Sequence, residues 1–134
     1  MTRQAKGTFE VKMNPFPPYE TDEGVQLGRI SIDKIFAGDL EGSSHVEMIS
    51  AVTPVKGSAG YVAIERVSGS LHGRAGTFVL QHSGTMTRGK PELMVSVVPD
   101  SGTGALEGIG GRLTIEITGG KHFYSFDYAL DAQE

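Results

Sequence analysis

The sequence contains no cysteine and no long apolar run. Without cysteine the chain cannot form a disulfide, a catalytic thiolate or a thiolate zinc site, which fits a reducing cytoplasm. No segment approaches the roughly 18 consecutive apolar residues that a transmembrane helix needs, and the first residues contain no apolar signal-peptide core. We therefore expect a cytoplasmic protein that has no membrane partner.

The sequence also has no excess of basic residues and no segment with helical periodicity and caps. Its 12 lysines and arginines are outnumbered by 16 acidic residues, which gives a net charge of −4. Nucleic acid is not an expected partner, because no basic stripe is available to release counterions from a phosphate backbone. Glycine, in contrast, is abundant: 19 of 134 residues, about double the usual ~7%. In a single domain rich in β-branched residues, this excess indicates the turns and bulges of an all-β fold.

Residues 61–84 are predicted to form a β-hairpin. Two runs of alternating apolar side chains meet at His72 and Gly73, which suit a two-residue turn between paired strands. Pairing outward from this turn places one set of side chains on a shared face. The predicted pairs on that face are Leu71 with Arg74, Val67 with Phe78, Glu65 with Leu80, and Ala63 with His82. Glu65 and His82 then lie diagonally opposite each other on a face that is otherwise mostly apolar.

A second hairpin is predicted over residues 112–130, around a turn at Gly119 and Gly120. Its apolar side is predicted to pair Ile117 with His122, Ile115 with Tyr124, Leu113 with Phe126, and Gly111 with Tyr128. Its other side carries charged residues, so the predicted sheet has an inner and an outer face.

Alternating patterns predict further strands at residues 5–14, 26–36, 40–52 and 92–98. The last of these is apolar at nearly every position, which predicts cover on both faces. A turn at residues 56–57 places Met48 and Ser50 on the same side as Glu65. The pairs predicted from this turn are Ile49 with Ile64 and Glu47 with Arg66.

The glycine-rich segment 99–111 does not match a dinucleotide-binding loop, because a strand-like segment, RLTIEIT, follows it instead of a helix. We interpret it as a long crossover that bends into the next strand. About eight strands thus follow one another in the chain. A sheet of about eight consecutive antiparallel strands has two exposed edges unless it closes into a barrel. We therefore predict an all-β fold, a closed antiparallel eight-stranded β-barrel, with an open sandwich as the alternative.

Two sequence segments resemble a known family. Residues 61–84 match the pattern YxAxExVxGxLxGRxGxFVLQHxG, and residues 97–111 match VVPxSGTGxLxGxxG. These segments resemble a bacterial family of domains of unknown function that is grouped with the allene oxide cyclase-like barrels and is distantly similar to dirigent proteins. The resemblance covers nearly the whole chain and implies an eight-stranded barrel. It implies little about activity: allene oxide cyclase and dirigent proteins steer reactive small molecules inside the barrel, but their functional residues do not map onto this chain.

Glu65 and His82 are the candidate catalytic residues. A carboxylate on an apolar inner face must be paired, hydrogen-bonded or shifted towards its neutral form. Glu65 therefore either handles a proton or satisfies donors across the barrel, and His82 is either a general acid or base or a paired interior imidazole. The candidate ligand-binding residues on the same inner face are Met48, Ser50, Tyr61, Phe78, Leu80, Tyr124, Phe126 and Tyr128. The histidines show no metal-ligand spacing, and neither a metal nor a cofactor is expected.

Three functions fit these predictions. The first is a barrel that binds a small apolar or amphipathic molecule in its lumen. The second is an isomerase or cyclase that acts on a small hydrophobic substrate and uses Glu65 and His82 for proton transfer. The third is a filled barrel that acts as a homo-oligomeric assembly module, a dimer or a trimer, through its outer face.

Overall fold

The computed structural model of the chain describes residues 2–130. Most of them belong to nine β-strands: β1 (Arg3–Pro15), β2 (Glu20–Asp22), β3 (Val25–Gly38), β4 (Leu40–Val52), β5 (Ala59–Leu71), β6 (Arg74–Thr87), β7 (Lys90–Val97), β8 (Ile109–Thr118) and β9 (Lys121–Leu130). Within residues 2–130 the only helical element is a single 3₁₀ turn, Gly104–Leu106, in the connection between β7 and β8. No helix in this part of the chain is long and apolar enough to cross a membrane.

The strands form one antiparallel sheet that closes on itself. Around the sheet the order is β1-β9-β8-β7-β6-β5-β4-β3, and β3 pairs with β1 to complete the ring. The predicted closed eight-stranded antiparallel barrel is therefore confirmed, and the alternative of an open sandwich is wrong. The short β2 is a ninth strand, which pairs with β3 beyond the point where β1 ends at Pro15.

Both predicted hairpins have the predicted register. Observed pairs include Glu65 with Leu80, Ala63 with His82, Leu113 with Phe126, and Ile115 with Tyr124. The turns account for this agreement. His72 and Gly73 have φ values of 47° and 81°, and Gly119 and Gly120 have values of 58° and 78°. Two successive residues with positive φ form the turn whose twist matches that of paired strands, which fixes the register of the whole hairpin.

The register between β4 and β5 differs from the prediction by two residues. The observed pairs are Ile49 with Val62 and Glu47 with Ile64, where the predicted pairs were Ile49 with Ile64 and Glu47 with Arg66. A loop of residues 53–58 replaces the predicted tight turn, and the Thr53 hydroxyl stabilises it by donating to the Ser58 carbonyl at 2.9 Å. Because the shift is an even number of residues, every side chain keeps its predicted face.

The prediction that both faces of β7 are covered is wrong for the first half of the strand. Leu93 and Met94, which point to opposite faces, remain 43% and 56% exposed. The strand pairs with β6 along its whole length but with β8 only where Ser96 lies opposite Arg112. The barrel wall is therefore loosely joined between β7 and β8, which leaves the first half of β7 at an edge.

One end of the barrel is filled with side chains, and we call it the closed end. Its buried inner-facing residues include Phe36, Leu40, Leu71, Phe78, Phe126 and Tyr128. The connection between β7 and β8 folds across this end, with the Thr103 N–H donating to the Thr77 carbonyl at 2.8 Å and Leu106 fully buried. Glycine is required at position 76 below this connection, because a Cβ there would lie 2.1 Å from the Thr103 carbonyl oxygen.

The opposite end, where β4–β5, β6–β7 and β8–β9 connect, is the open end. Five large apolar side chains there occupy inner-facing positions and are still exposed: Met13 (54%), Val52 (50%), Met86 (43%), Leu93 (43%) and Ile117 (64%). We call these five the mouth residues. The wall also has gaps at this end, because β9 pairs with β1 only as far as His122 with Phe9. The inner face of the barrel is therefore open to solvent here.

Candidate functional site

A buried carboxylate lies at the centre of the barrel. Glu65 on β5 is completely buried, and donors from β3, β4 and β6 surround it. The Oε1 atom of Glu65 is 3.2 Å from Lys34 Nζ and 2.7 Å from His82 Nε2. The Ser44 hydroxyl donates to the other carboxylate oxygen at 2.6 Å. The structure thus brings together Glu65 and His82, as their diagonal positions indicated, and we call the four residues the Glu65 network.

The Glu65 network lies between two apolar clusters. On β3, Lys34 is flanked by Ile32, which belongs to a small cluster towards the open end, and by Phe36, which belongs to the large cluster of the closed end. The same order is found on β5. The network is therefore a polar layer across the barrel, with a packed core on one side and the mouth on the other.

The sequence analysis missed Lys34 and Ser44. Lys34 alternates with Ile32 and Phe36, so the pattern that places those two side chains inside also places Lys34 inside. The signal for its inward position was therefore present in the sequence. Its partner was not evident, because β3 and β5 are separated in the sheet by β4. Lys34 Nζ also lies 4.8 Å from the ring centre of Phe9, which is a cation–π contact.

The surroundings of Glu65 favour its ionised form. Burial alone would raise the pKa of this carboxyl group. The hydrogen bond from His82, the charge of Lys34 and the hydrogen bond from Ser44 outweigh burial, so the pKa of the carboxyl group is lowered. Within residues 2–130 every buried side-chain nitrogen and oxygen has a hydrogen-bond partner. Three donors engage the two carboxylate oxygens, which leaves one acceptor position on Oε2, and complete burial keeps Glu65 out of contact with solvent.

Five of the predicted ligand-binding residues lie in the closed end, where they are buried: Phe78, Leu80, Tyr124, Phe126 and Tyr128. The Phe126 ring packs between those of Phe78 and Tyr128, at centre distances of 5.6 and 5.3 Å. The Tyr124 hydroxyl accepts a hydrogen bond from the Leu40 N–H at 2.8 Å. These side chains form the packed core, and a ligand would contact them only by displacing that packing.

The other three predicted ligand-binding residues, Met48, Ser50 and Tyr61, lie towards the open end. They face inwards, are partly buried and are closer to the mouth residues than to the closed end. The Tyr61 ring lies over Gly84, where an added Cβ would be 2.5 Å from a ring carbon. Burial raises the pKa of Tyr61, so its phenol is neutral at neutral pH. These three are the predicted site residues that a molecule entering the mouth meets first.

The remaining histidines lie outside the Glu65 network. His45 is on the outer face of the barrel, between Asp33 and Glu47. His72 is in the β5–β6 turn at the closed end. Among the side chains of residues 2–130, no group of three or more histidines and acids is arranged to hold a metal ion.

The fold and the site define a class of protein: a small closed β-barrel with one filled end, one open apolar mouth and a buried polar layer between them. A family model described as "Protein of unknown function (DUF3224)" matches residues 5–128. The chain belongs to this family, which confirms the resemblance to a domain of unknown function.

A solved structure supports the same assignment. It is the crystal structure of a protein with unknown function from the DUF3224 family from Shewanella oneidensis MR-1. This chain is 50% identical to it, the match covers 97% of this chain and 98% of that chain, and the TM-score is 0.91. No curated protein matches the chain.

Proposed function

We propose that this protein binds a small apolar or amphipathic molecule in the open half of its barrel. The observation that carries this proposal is the set of mouth residues, which are large, apolar and inner-facing but between 43% and 64% exposed. Covering apolar surface is favourable by about 25 cal/mol per Å², so a ligand that packs against these side chains is stabilised there. The interior of an eight-stranded barrel is just wide enough to be filled by side chains or to hold one small ligand.

The Glu65 network sets the inner limit of the proposed site. Its polar atoms are already paired, so a ligand rests against this layer without replacing its hydrogen bonds. Ser50 and Tyr61 supply hydroxyl groups on the wall between this layer and the mouth. Met48 supplies a flexible apolar surface that adapts to ligand shape. An apolar pocket with a few polar groups is the usual composition of a small-molecule site.

An isomerase or cyclase that uses Glu65 and His82 for proton transfer is the second candidate. The 2.7 Å contact between these two side chains supports it. Binding without turnover has more support, because Glu65 is completely buried and three donors already hold its carboxylate. We also propose, from the fold alone, that the family belongs with the allene oxide cyclase-like barrels, whose lumens hold small molecules; that kinship fits both candidates.

Assembly into a homodimer or homotrimer is the third candidate. Four exposed apolar side chains lie close together on the outer face of β4, β5 and β7: Ile49, Val62, Ile64 and Met94. Burial of such a patch against a second copy would be favourable. Light scattering across a range of protein concentrations tests it, and a monomer at every concentration removes it.

Binding in the mouth is tested with N-phenyl-1-naphthylamine, an uncharged apolar probe whose fluorescence rises in apolar surroundings. The protein should bind it saturably. Leu93→Asp places a charge among the mouth residues and should weaken binding about tenfold or more, because ligand binding then buries an unpaired carboxylate.

Met94→Asp is the matched control. Met94 is the next residue on β7, is similarly exposed and faces outwards. The control should bind the probe as the wild type does. Absence of saturable binding by the wild type, or equal loss in the two variants, would refute a site in the mouth.

A further inference from the structure

Three hairpin turns at the open end are basic. Residues 53–58, 87–90 and 118–121 contain Lys56, Arg88, Lys90 and Lys121 and no acidic residue, although the whole chain has a net charge of −4. Each turn directly follows a mouth residue in the chain: Val52, Met86 and Ile117. Positive charge is therefore placed at the border of the exposed apolar surface.

Two of these turns are joined by hydrogen bonds. The Gly89 N–H donates to the Gly57 carbonyl at 2.9 Å, and the Arg88 N–H donates to the Ser58 hydroxyl at 3.0 Å. The two turns therefore form one surface, which carries Lys56, Arg88 and Lys90. Its positive charges act together on a nearby anion, because charges closer than about 10 Å are only partly screened at 0.1 M salt.

The four cations of these turns, Lys56, Arg88, Lys90 and Lys121, are not held by ion pairs with other residues of the range 2–130. The acidic residues at this end are Glu20, Asp22 and Glu23 on β2 and its turn, which adjoins the β4–β5 loop, and Glu92 on β7. The joined β4–β5 and β6–β7 turns, which carry three cations and no acid of their own, are therefore the most basic part of the rim.

We infer that the ligand is an amphipathic anion, with its apolar body against the mouth residues and its anionic head group at the basic turns. This inference rests on the function proposed above and adds the chemical class and orientation of the ligand. The head group gains nothing by entering the barrel, because the charge of Lys34 is already compensated by Glu65. Leaving water for the interior would only cost it hydration.

The inference is tested with decanoate and decanol, which share one alkyl chain and differ in charge. Both are titrated at low salt as competitors of bound N-phenyl-1-naphthylamine. Decanoate should bind roughly threefold to tenfold more tightly than decanol, and added salt should remove the difference. The double variant Arg88→Gln, Lys90→Gln should lower the affinity for decanoate roughly threefold and leave that for decanol unchanged.

A second double variant, Lys6→Gln with Arg66→Gln, is the matched control. It removes the same amount of charge away from the mouth and should leave both affinities unchanged. Equal binding of decanoate and decanol, or equal loss of decanoate affinity in the two double variants, would overturn the inference while saturable probe binding still upheld a site in the mouth.

An anionic membrane surface also combines apolar chains with anionic head groups, so it is the alternative to a free ligand. Sedimentation with phosphatidylglycerol vesicles, and with phosphatidylcholine vesicles as control, distinguishes it. Binding to phosphatidylglycerol vesicles without binding of decanoate would overturn the inference that the ligand is a free amphipathic anion. If even the uncharged probe fails to bind, the proposed function itself fails.

Discussion

Lys34 and Glu65 form an ion pair inside a core that is otherwise almost entirely apolar. Lys34 Nζ and Glu65 Oε1 are 3.2 Å apart, and the two side chains are 8% and 0% exposed. Removing two charges from water is unfavourable unless the charges compensate each other and their hydrogen-bonding atoms find partners. Ser44 and His82 provide those partners on the carboxylate. The stability of the barrel therefore depends on keeping both charges or removing both.

Replacement of Glu65 by glutamine should destabilise the protein strongly. Glutamine keeps the shape of the side chain but leaves the Lys34 ammonium buried without a counter-charge. Loss of one partner of a buried pair costs roughly 3 to 5 kcal/mol of the free energy of unfolding. Urea denaturation measures this loss, with Glu10→Gln, an exposed carboxylate on β1, as a control that should change little.

The double variant Lys34→Met, Glu65→Gln separates lost charge compensation from lost packing. It removes the uncompensated ammonium and retains a side chain at position 65 that can bond His82 and Ser44. Most of the stability lost in Glu65→Gln should return. A double variant that is less stable than Glu65→Gln would show that the buried ammonium is not the main cause of the loss.

The contribution of Glu65 to stability should depend on pH in the acid range. Its pKa is lowered in the folded protein from the ordinary value of 4.5. A carboxyl group with a lowered pKa contributes fully above its unfolded-state pKa, and the contribution is lost as pH falls towards the folded-state pKa. The difference in the free energy of unfolding between wild type and Glu65→Gln should therefore be constant above about pH 4.5 and shrink below it. A difference that stays constant down to pH 3 would exclude this titration.

His45 on the outer face should titrate above its ordinary pKa of 6.5. Hydrogen bonds to Asp33 and then to Glu47 favour the imidazolium and raise the pKa of His45. A raised pKa means that the stabilising contribution is complete below pH 6.5 and is lost as pH rises through the folded-state value. NMR titration of the imidazole measures the pKa directly. In the variant Asp33→Asn the pKa should move back towards 6.5, and an unchanged value would show that Asp33 is not its main cause.

Local turn chemistry made a large part of this fold predictable. The turns at His72 and Gly73, and at Gly119 and Gly120, fix two hairpins because residues with positive φ permit one register. Strand alternation then places Glu65 and His82 on one face. The β4–β5 register was predicted incorrectly because the loop of residues 53–58 contains no such two-residue turn.

The open and closed ends could not be predicted from local patterns. Exposure of Leu93 and Ile117 depends on how far β8 pairs with β7 and β9 with β1, and those contacts join distant parts of the chain. The partner of Lys34 was missed for the same reason. A single strand shows which face a side chain occupies but does not show what lies across the lumen.

The pairing of β1 with β9 joins the first strand of the barrel to the last. While the chain is being synthesised, β1 can pair with β3, but its other edge has no partner until β9 has left the ribosome. Contacts between such distant segments form slowly, and unpaired strand edges attract other chains. The nascent protein is therefore vulnerable to pairing with neighbouring nascent copies until β9 has emerged, and chaperone protection up to that stage should increase its yield.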